Sequence, residues 1–330
     1  MSTTILVGDV REQLRTLADN SVHCIVTSPP YWGLRDYGVD GQIGLEASPA
    51  EFIAAMVDVF EELRRVLRPD GTCWMNMGDS YAANRGSGAS GIGAKQATNV
   101  GANLGKLKVP SGFKAKDLVM MPHRLAIALQ DAGWWVRQDI VWSKPNPMPE
   151  SVRDRCTKSH EYIFLLTKSD KYFYDAEAIK EASTSTSPAG NKTHKYADAY
   201  ASGTSEEHRT KAGLVALAGV EWETRNKRSV WTMGSQPFAE AHFATFPPEL
   251  PETCIKAGCP PGGVVLDPFF GAGTTGLVAE RLQRDCIGIE LNPAYAEIAR
   301  RRIVGDCPIL ADVRVVAPIP ASAPVELEVA

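Results

Sequence analysis

Two short stretches of the chain combine residue types able to hold a substrate amine beside an electrophile. The first is Cys24-Ile25-Val26-Thr27-Ser28-Pro29-Pro30-Tyr31-Trp32, an apolar run ending in a polar residue, two prolines and two aromatics. Proline fixes the backbone and donates no N–H, so the carbonyls of Pro29 and Pro30 are free to point outward as acceptors. An amine carries two N–H donors. Ser28 Oγ and the Pro29 carbonyl can accept one each, which draws the nitrogen lone pair out of conjugation and aims it at an electrophile. Tyr31 offers a stacking face for a flat substrate. Standing alone, such a tetrapeptide is an ordinary tight turn; the second stretch changes its weight.

That second stretch is Val264-Val265-Leu266-Asp267-Pro268-Phe269-Phe270-Gly271-Ala272-Gly273-Thr274-Thr275-Gly276, a strand running into a glycine-rich turn and then a helix. Gly271, Gly273 and Gly276 satisfy the dinucleotide spacing, which is a weak signal alone. No Gly-Lys-Ser/Thr follows, which argues against a phosphate-cradling loop. Asp267 ahead of the glycines would repel a pyrophosphate but suits the ammonium of an amino-acid ligand. Glu290, closing the next strand, suits a pair of ribose hydroxyls. A ligand with both an amino-acid tail and a ribose is S-adenosylmethionine, and the acceptors and stacking face of the first stretch would suit the amine of a nucleic-acid base. Such a base must leave its duplex to reach the site, and stacking returns about 1–3 kcal/mol of that cost. The methyl would move by direct in-line displacement, with positioning as the main source of rate. Carbon-5 cytosine methylation needs a cysteine nucleophile following proline, and the chain contains no Pro-Cys dipeptide.

The elements that must position these residues are legible as alternating runs. Seven short segments read as buried strands: Thr4–Val7, His23–Thr27, Thr72–Met77, Val136–Trp142, Glu161–Thr167, Val264–Asp267 and Cys286–Glu290. Pro49–Leu67, Pro122–Ala132, Thr274–Arg284 and Pro293–Val304 read as helices, the first ending at an Arg68-Pro69-Asp70-Gly71 stop and turn. Strands alternating with helices predict a doubly wound, mostly parallel α/β sheet. Residues 82–116 break the alternation. No Asp or Glu occurs from Tyr81 to Lys116, whereas Arg85, Lys95, Lys106, Lys108, Lys114 and Lys116 are basic. This predicts a mobile basic loop that meets phosphate. Residues 175–228 are polar, and a small inserted recognition region is placed there. The tail after Val313 reads as surface-packed or frayed.

At 330 residues, 44% hydrophobic and 22% charged, the chain is an ordinary globular protein rather than a disordered or membranous one. Its longest apolar runs are strand-sized, and the N-terminus shows no secretory pattern, so a cytoplasmic location is expected. Seven cysteines without zinc-like spacing predict free thiols and no metal. The net charge of −4 does not announce a nucleic-acid binder; one basic loop alone reads as a solvated loop, but two basic stretches beside these motifs point toward phosphate contact.

On the Ser28–Trp32 and Asp267–Gly276 motifs and their order, the chain resembles the amino-group DNA methyltransferases of the bacterial restriction–modification type, in the permuted β order of motifs. The resemblance covers about residues 4–305. It implies a Rossmann-like seven-stranded, mostly parallel sheet of the S-adenosylmethionine-dependent methyltransferase type, circularly permuted, with an inserted target-recognition region. The implied division is 1–174 for the catalytic part, 175–235 for target recognition, 236–312 for the cofactor part and 313–330 for a tail. It also implies catalytic roles for Ser28, Pro29, Pro30 and Tyr31. Cofactor contacts are implied at Asp9, Thr27, Ala244, Thr245, Phe246, Asp267, Phe269, Gly271, Gly273, Thr274 and Glu290. Trp32, Arg85, Lys95, Lys106, Lys108, Lys144, Arg153, Lys195 and Arg209 are the candidate DNA contacts, and the Trp142–Pro147 loop is a candidate wall of the base pocket. The implied partner is double-stranded DNA; a homodimer and a partner nuclease stay open, and a bacterial or phage origin is implied.

The chain departs from the family where Ser28 replaces the Asp usual in adenine-modifying members, so N4 of cytosine and N6 of adenine both stand. Three other readings are weighed: an RNA or protein-glutamine methyltransferase, a catalytically silent DNA-binding relative, and an NAD-dependent dehydrogenase. The first usually places its cofactor loop before its reactive loop, the reverse of this chain. Intact Asp267, Ser28 and Tyr31 oppose the second, and the third rests on glycine spacing alone.

Overall fold

Runs of β-branched and aliphatic residues form strands at all seven expected positions. The structure is a computed structural model that describes residues 1–33, 39, 41–82, 113–183, 223–235, 246–308 and 312–317. Its strands are β1 (Ser2–Val7), β2 (Val22–Thr27), β3 (Leu67–Met77), β4 (Trp135–Ser143), β5 (His160–Thr167), β6 (Glu181–Ala182), β7 (Thr224–Arg225), β8 (Val230–Thr232), β9 (Val264–Asp267), β10 (Asp285–Glu290) and β11 (Asp312–Val316). Nine of them make one sheet in the order β11-β1-β10-β9-β2-β3-β5-β4-β8. All neighbours run parallel except at β5, which is antiparallel to both β3 and β4.

Described helices are α1 (Val10–Arg15), α2 (Pro49–Val66), α3 (Met121–Asp131), α4 (Glu249–Gly258), α5 (Thr274–Arg281) and α6 (Pro293–Asp306). The stripe Phe52, Met56, Val59, Phe60, Leu63 turns α2 onto the sheet, where all five side chains are fully buried. Each such side chain contributes about 1.5–3 kcal/mol. Ser48 Oγ accepts the Glu51 N–H at 3.2 Å and Glu51 Oε2 accepts the Ala47 N–H at 3.1 Å, a reciprocal cap that starts the helix cleanly. Strand alternation divides the core. Ile25, Cys73, Met75, Leu266 and Ile289 join α1, α2 and α3 in one cluster. Cys24 and Trp74, interleaved with them, lie against Gly258 of α4. No described helix is long and apolar enough to cross a membrane.

Several expectations need correction. The Arg68–Gly71 turn lies inside β3: Val22 pairs with Leu67 and Cys24 with Thr72, so the four residues bulge opposite His23 alone. The sheet exceeds seven strands because β8 and β11 add to its edges. β11 (Asp312–Val316) takes Arg314–Val316 out of the expected frayed tail, since its Val/Arg/Val alternation pairs in register with Ser2–Leu6 of β1. Helices α1 and α4 carry no long apolar period and were not expected. Ala82 N–H donates to the Asp117 carbonyl, Lys116 N–H to the Ala82 carbonyl and Val119 N–H to the Ser80 carbonyl, so residues 80–82 and 116–119 form a short antiparallel stem. The basic stretch 83–112 between them, and the mobility expected of it, lie outside the described residues.

The chain divides into two compact units, residues 1–175 with 229–330, and residues 176–228. In the second, β6 pairs antiparallel with β7, and Glu181 takes ion pairs from Arg225 at 2.8 Å and Arg228 at 2.6 Å.

Candidate active site

Neighbouring strands β9 and β2 send their chains in opposite directions. From β9 the chain passes through α5 to β10, and from β2 through α2 to β3 on the other side. Ligands of open α/β sheets sit at such a divergence, outside the carboxyl ends of the strands. Here a cavity of about 420 Å³ opens at that place, entirely within the larger unit.

At one end of the cavity β9 delivers Asp267, which is 2% exposed. Its Oδ1 accepts the Phe269 N–H at 3.1 Å and its Oδ2 the Thr275 hydroxyl at 2.6 Å. Burial pushes its pKa up to about 6, although those hydrogen bonds oppose the rise. Thr27 Oγ1 is buried beside the same carboxyl and lacks a well-formed hydrogen bond. Glu290 ends β10. Its Oε2 accepts the Gly271 N–H at 2.7 Å and its Oε1 the Asn292 N–H at 2.8 Å. Burial raises this carboxyl to about 7 against the same two N–H groups, and Asp267 adds to the rise. Among the described residues neither carboxyl has an ion-pair partner. Two desolvated acids without a cation make a site that favours a cationic ligand with hydroxyls to share.

At the other end, the loop after β2 presents Ser28, Pro29, Pro30 and Tyr31 to the cavity. The Tyr31 hydroxyl donates to Glu161 Oε2 at 2.9 Å. Its ring is backed by Gly78, where an added Cβ would meet the ring at 2.8 Å. Burial first, and then the Glu161 charge, hold the phenol well above its usual pKa. Asn76 Nδ2 donates to the same Glu161 oxygen at 3.3 Å and to the Tyr162 carbonyl at 3.1 Å. Lys144 Nζ pairs with Glu161 Oε1 and sits 4.2 Å from the centre of the Trp142 ring.

Of the residues singled out in the sequence, Asp9, Ser28, Pro29, Pro30, Tyr31, Lys144, Phe246, Asp267, Phe269, Gly271, Thr274 and Glu290 line this cavity. Four do not. Thr27 is buried behind its wall, and Gly273 faces α6, where an added Cβ would come within 2.7 Å of Ala299 Cβ. The absence of a side chain there lets α5 and α6 pack closely. Trp32 packs on the core with its indole N–H donating to the Glu46 carbonyl at 2.9 Å, and Arg153 is exposed away from the cavity. Lys144 lines the site as the ion-pair partner of Glu161. Asp9 caps α1 and is clasped by Arg11, whose Nε lies 2.9 Å from Oδ1. Burial alone would raise the Asp9 pKa, but the hydrogen bonds from Arg11 outweigh it and lower it. Arg85, Lys95, Lys106, Lys108, Lys195, Arg209, Ala244 and Thr245 lie outside the described residues.

Sequence reasoning missed Asn76 and Glu161. Asn76 interrupts the apolar run Cys73–Met77 and Glu161 stands at the head of the run Tyr162–Leu166, and a polar residue so placed is the signal that could have found them. Trp142, named as a candidate wall, lines the cavity, as do Asn292 and Tyr295 from the head of α6.

A family model described as DNA methylase matches residues 22–301. The Type II methyltransferase M.Cfr9I of Citrobacter freundii is 47% identical over 304 residues, 92% of this chain and 88% of that protein. M.SmaI of Serratia marcescens, another Type II methyltransferase, is 45% identical over 92% of this chain and 91% of its own length. Among solved structures, the PvuII DNA methyltransferase, described as cytosine-N4-specific, superposes with a TM-score of 0.60 at 18% identity, covering 94% of this chain and 95% of that one. TTHA0409 of Thermus thermophilus, complexed with S-adenosyl-L-methionine, gives a TM-score of 0.58 at 23% identity, covering 95% and 99%. The two structures share the fold.

Proposed function

The chain belongs to the DNA methylase family of amino-group methyltransferases, and on that premise we propose that it methylates the exocyclic amine of a flipped-out DNA base, N4 of cytosine or N6 of adenine. The observation that carries this reading is the meeting of two motifs at opposite ends of the sequence. Ser28–Tyr31 and Asp267–Gly271 leave adjacent strands, paired at Cys24–Val265 and Ile25–Leu266, and open on one cavity.

Asp267 would hold the ammonium of the cofactor's amino-acid tail, and its desolvation makes that contact strong. Glu290 keeps acceptor capacity beyond its two backbone partners, because a carboxylate offers about four lone-pair sites, and these suit ribose hydroxyls. Phe269 and Phe246 supply apolar surface. S-adenosylmethionine, when bound, supplies the electrophilic methyl group. Ser28 Oγ and the Pro29 carbonyl accept the two N–H groups of the target amine and orient its lone pair, so Ser28 serves as an acceptor rather than a nucleophile. Tyr31 and Trp142 offer aromatic surface to a base that has left its stack.

The substrate in this reading is double-stranded DNA. The permuted motif order and the polar unit 176–228 support target recognition by an insert between the two halves of the methylase domain. Incubation of DNA with the protein and S-adenosylmethionine, followed by mass spectrometry of nucleosides, tests the reading. N4-methylcytosine or N6-methyladenine is expected, and 5-methylcytosine alone would overturn it.

A further inference from the structure

We propose that Glu161 is the positioning residue of the base end, holding the reactive loop and the Trp142–Lys144 wall at one separation. The proposal rests on the amino-methyltransferase reading above and assigns that site a part no local motif marks.

The topology explains why Glu161 can do this. Every other strand near the cavity enters it by its carboxyl end, so a residue early in such a strand lies at the far side of the sheet. Among the described strands of the sheet β5 alone runs the other way, and its second residue therefore arrives where β3 and β4 finish: Tyr162 pairs with Met77, and Glu161 with Trp142. The carboxylate there gathers donors from three elements. Tyr31 comes from the loop after β2 and Asn76 from β3; Lys144 directly follows β4. The Tyr31 ring has no room to retreat, since Gly78 backs it. Its hydroxyl contact with Glu161 therefore fixes the ring relative to Ser28, Pro29 and Pro30. The second carboxylate oxygen keeps the Lys144 cation beside the Trp142 ring. With the charge removed, the ammonium loses its partner and the two walls lose their common anchor. None of these contacts reaches Asp267 or Glu290, so the cofactor end should not register the change.

Glu161→Gln tests this, because the amide keeps the shape and loses the charge. Displacing a reacting group by about 1 Å costs on the order of a hundredfold, so kcat should fall about a hundredfold. Calorimetric affinity for S-adenosylmethionine, read without turnover, should stay within about threefold of wild type, as expected when only transition-state geometry is lost. Tyr31→Phe cuts the same link from the other side and should also lower kcat. The double variant should fall no further than Glu161→Gln alone, since coupled residues are non-additive.

A Glu161→Gln enzyme with near-wild-type kcat, a loss that adds fully to that of Tyr31→Phe, or a parallel loss of cofactor affinity would each overturn the proposal. If Glu161→Gln does not fold, Tyr31→Phe decides: a lower kcat at unchanged cofactor affinity supports it, and unchanged kcat overturns it. Wild-type protein that methylates no DNA amine would instead sink the reading of the whole site.

Discussion

At one end of the cavity, Asp267 and Glu290 are held chiefly by backbone N–H groups of the loops that follow β9 and β10. At the other, Glu161 is held by side chains that arrive from three other elements. The first arrangement is built at two adjacent strand ends: their own turns and the start of α5 supply the donors, with Gly271 reaching across to Glu290. The second is assembled across the sheet. A site of the first kind tolerates changes elsewhere but is sensitive to its own turn, whereas one of the second kind can be broken from several strands.

Substitutions can sharpen or break this contrast. The largest effect is expected for Asp267→Asn, which keeps volume and removes charge. Affinity for S-adenosylmethionine should fall roughly 100- to 1000-fold, as for loss of one partner of a desolvated charge pair. Calorimetric titration measures it, and scanning calorimetry should show the cofactor-free variant melting higher than wild type, because a buried unpaired acid has gone. Ser28→Ala acts at the other end. Its methylation rate should drop about a hundredfold, in the range for loss of one preorganised polar contact, while cofactor affinity is preserved. Near-normal turnover would remove Ser28 from the chemistry.

A third test uses pH. Asp267 and Glu290 titrate near 6 and near 7 in the folded protein, above the ordinary carboxyl range, because both are buried. The folded chain therefore holds protons that the unfolded chain has already released. Stability of the cofactor-free protein should fall as pH rises from about 4 to 7, by about 3 kcal/mol for each group. Cofactor binding uses the ionised forms and should tighten over the same upper range, about tenfold between pH 6 and 8. The rise in Tm on adding S-adenosylmethionine should thus be larger at pH 8 than at pH 6; a shift independent of pH would contradict the assignment of these acids.

The smallest effect, and the one that most directly challenges the contrast, is Gly273→Ala. The residue sits at φ 74° with Ala299 2.7 Å from the added methyl, so unfolding in urea should show a loss of about 1–3 kcal/mol. Cofactor affinity of the folded protein should not change. If affinity fell, the glycine would belong to the ligand after all.

The same contrast explains what was legible in the sequence. All seven expected strands formed because their residues are buried on one or both faces, and burial writes itself into composition. Asp267, Gly271 and Glu290 were visible because each stands at a strand end beside its own turn. Asn76 and Glu161 were hidden because what makes them a site is register between β3, β5 and β4, and no spacing within one segment encodes that. Gly273 fits a ligand-binding pattern, and close packing of α5 on α6 demands the same residue type. Helix α1 escaped notice because six residues hold too few turns to show a period, whereas α4 is longer than α5 and its length does not account for its omission. Arg68-Pro69-Asp70-Gly71 read as a stop because its composition is that of a turn, whereas pairing on both sides carries it inside β3.

The adjacency of β2 and β9 also governs how the protein is made. β2 lies in the middle of the sheet, yet one of its two partners is synthesised near the end of the chain, and β1 waits longer still for β10 and β11. At about 5–20 residues per second, the ribosome takes on the order of ten to fifty seconds to pass from one strand to the other. During that interval the nascent chain carries a central strand with an open hydrogen-bonding edge, the feature that folded proteins ordinarily cover. Long-range pairings of this kind form slowly, so yield in the cell should depend on chaperone supply and translation speed more than on the stability of the finished enzyme.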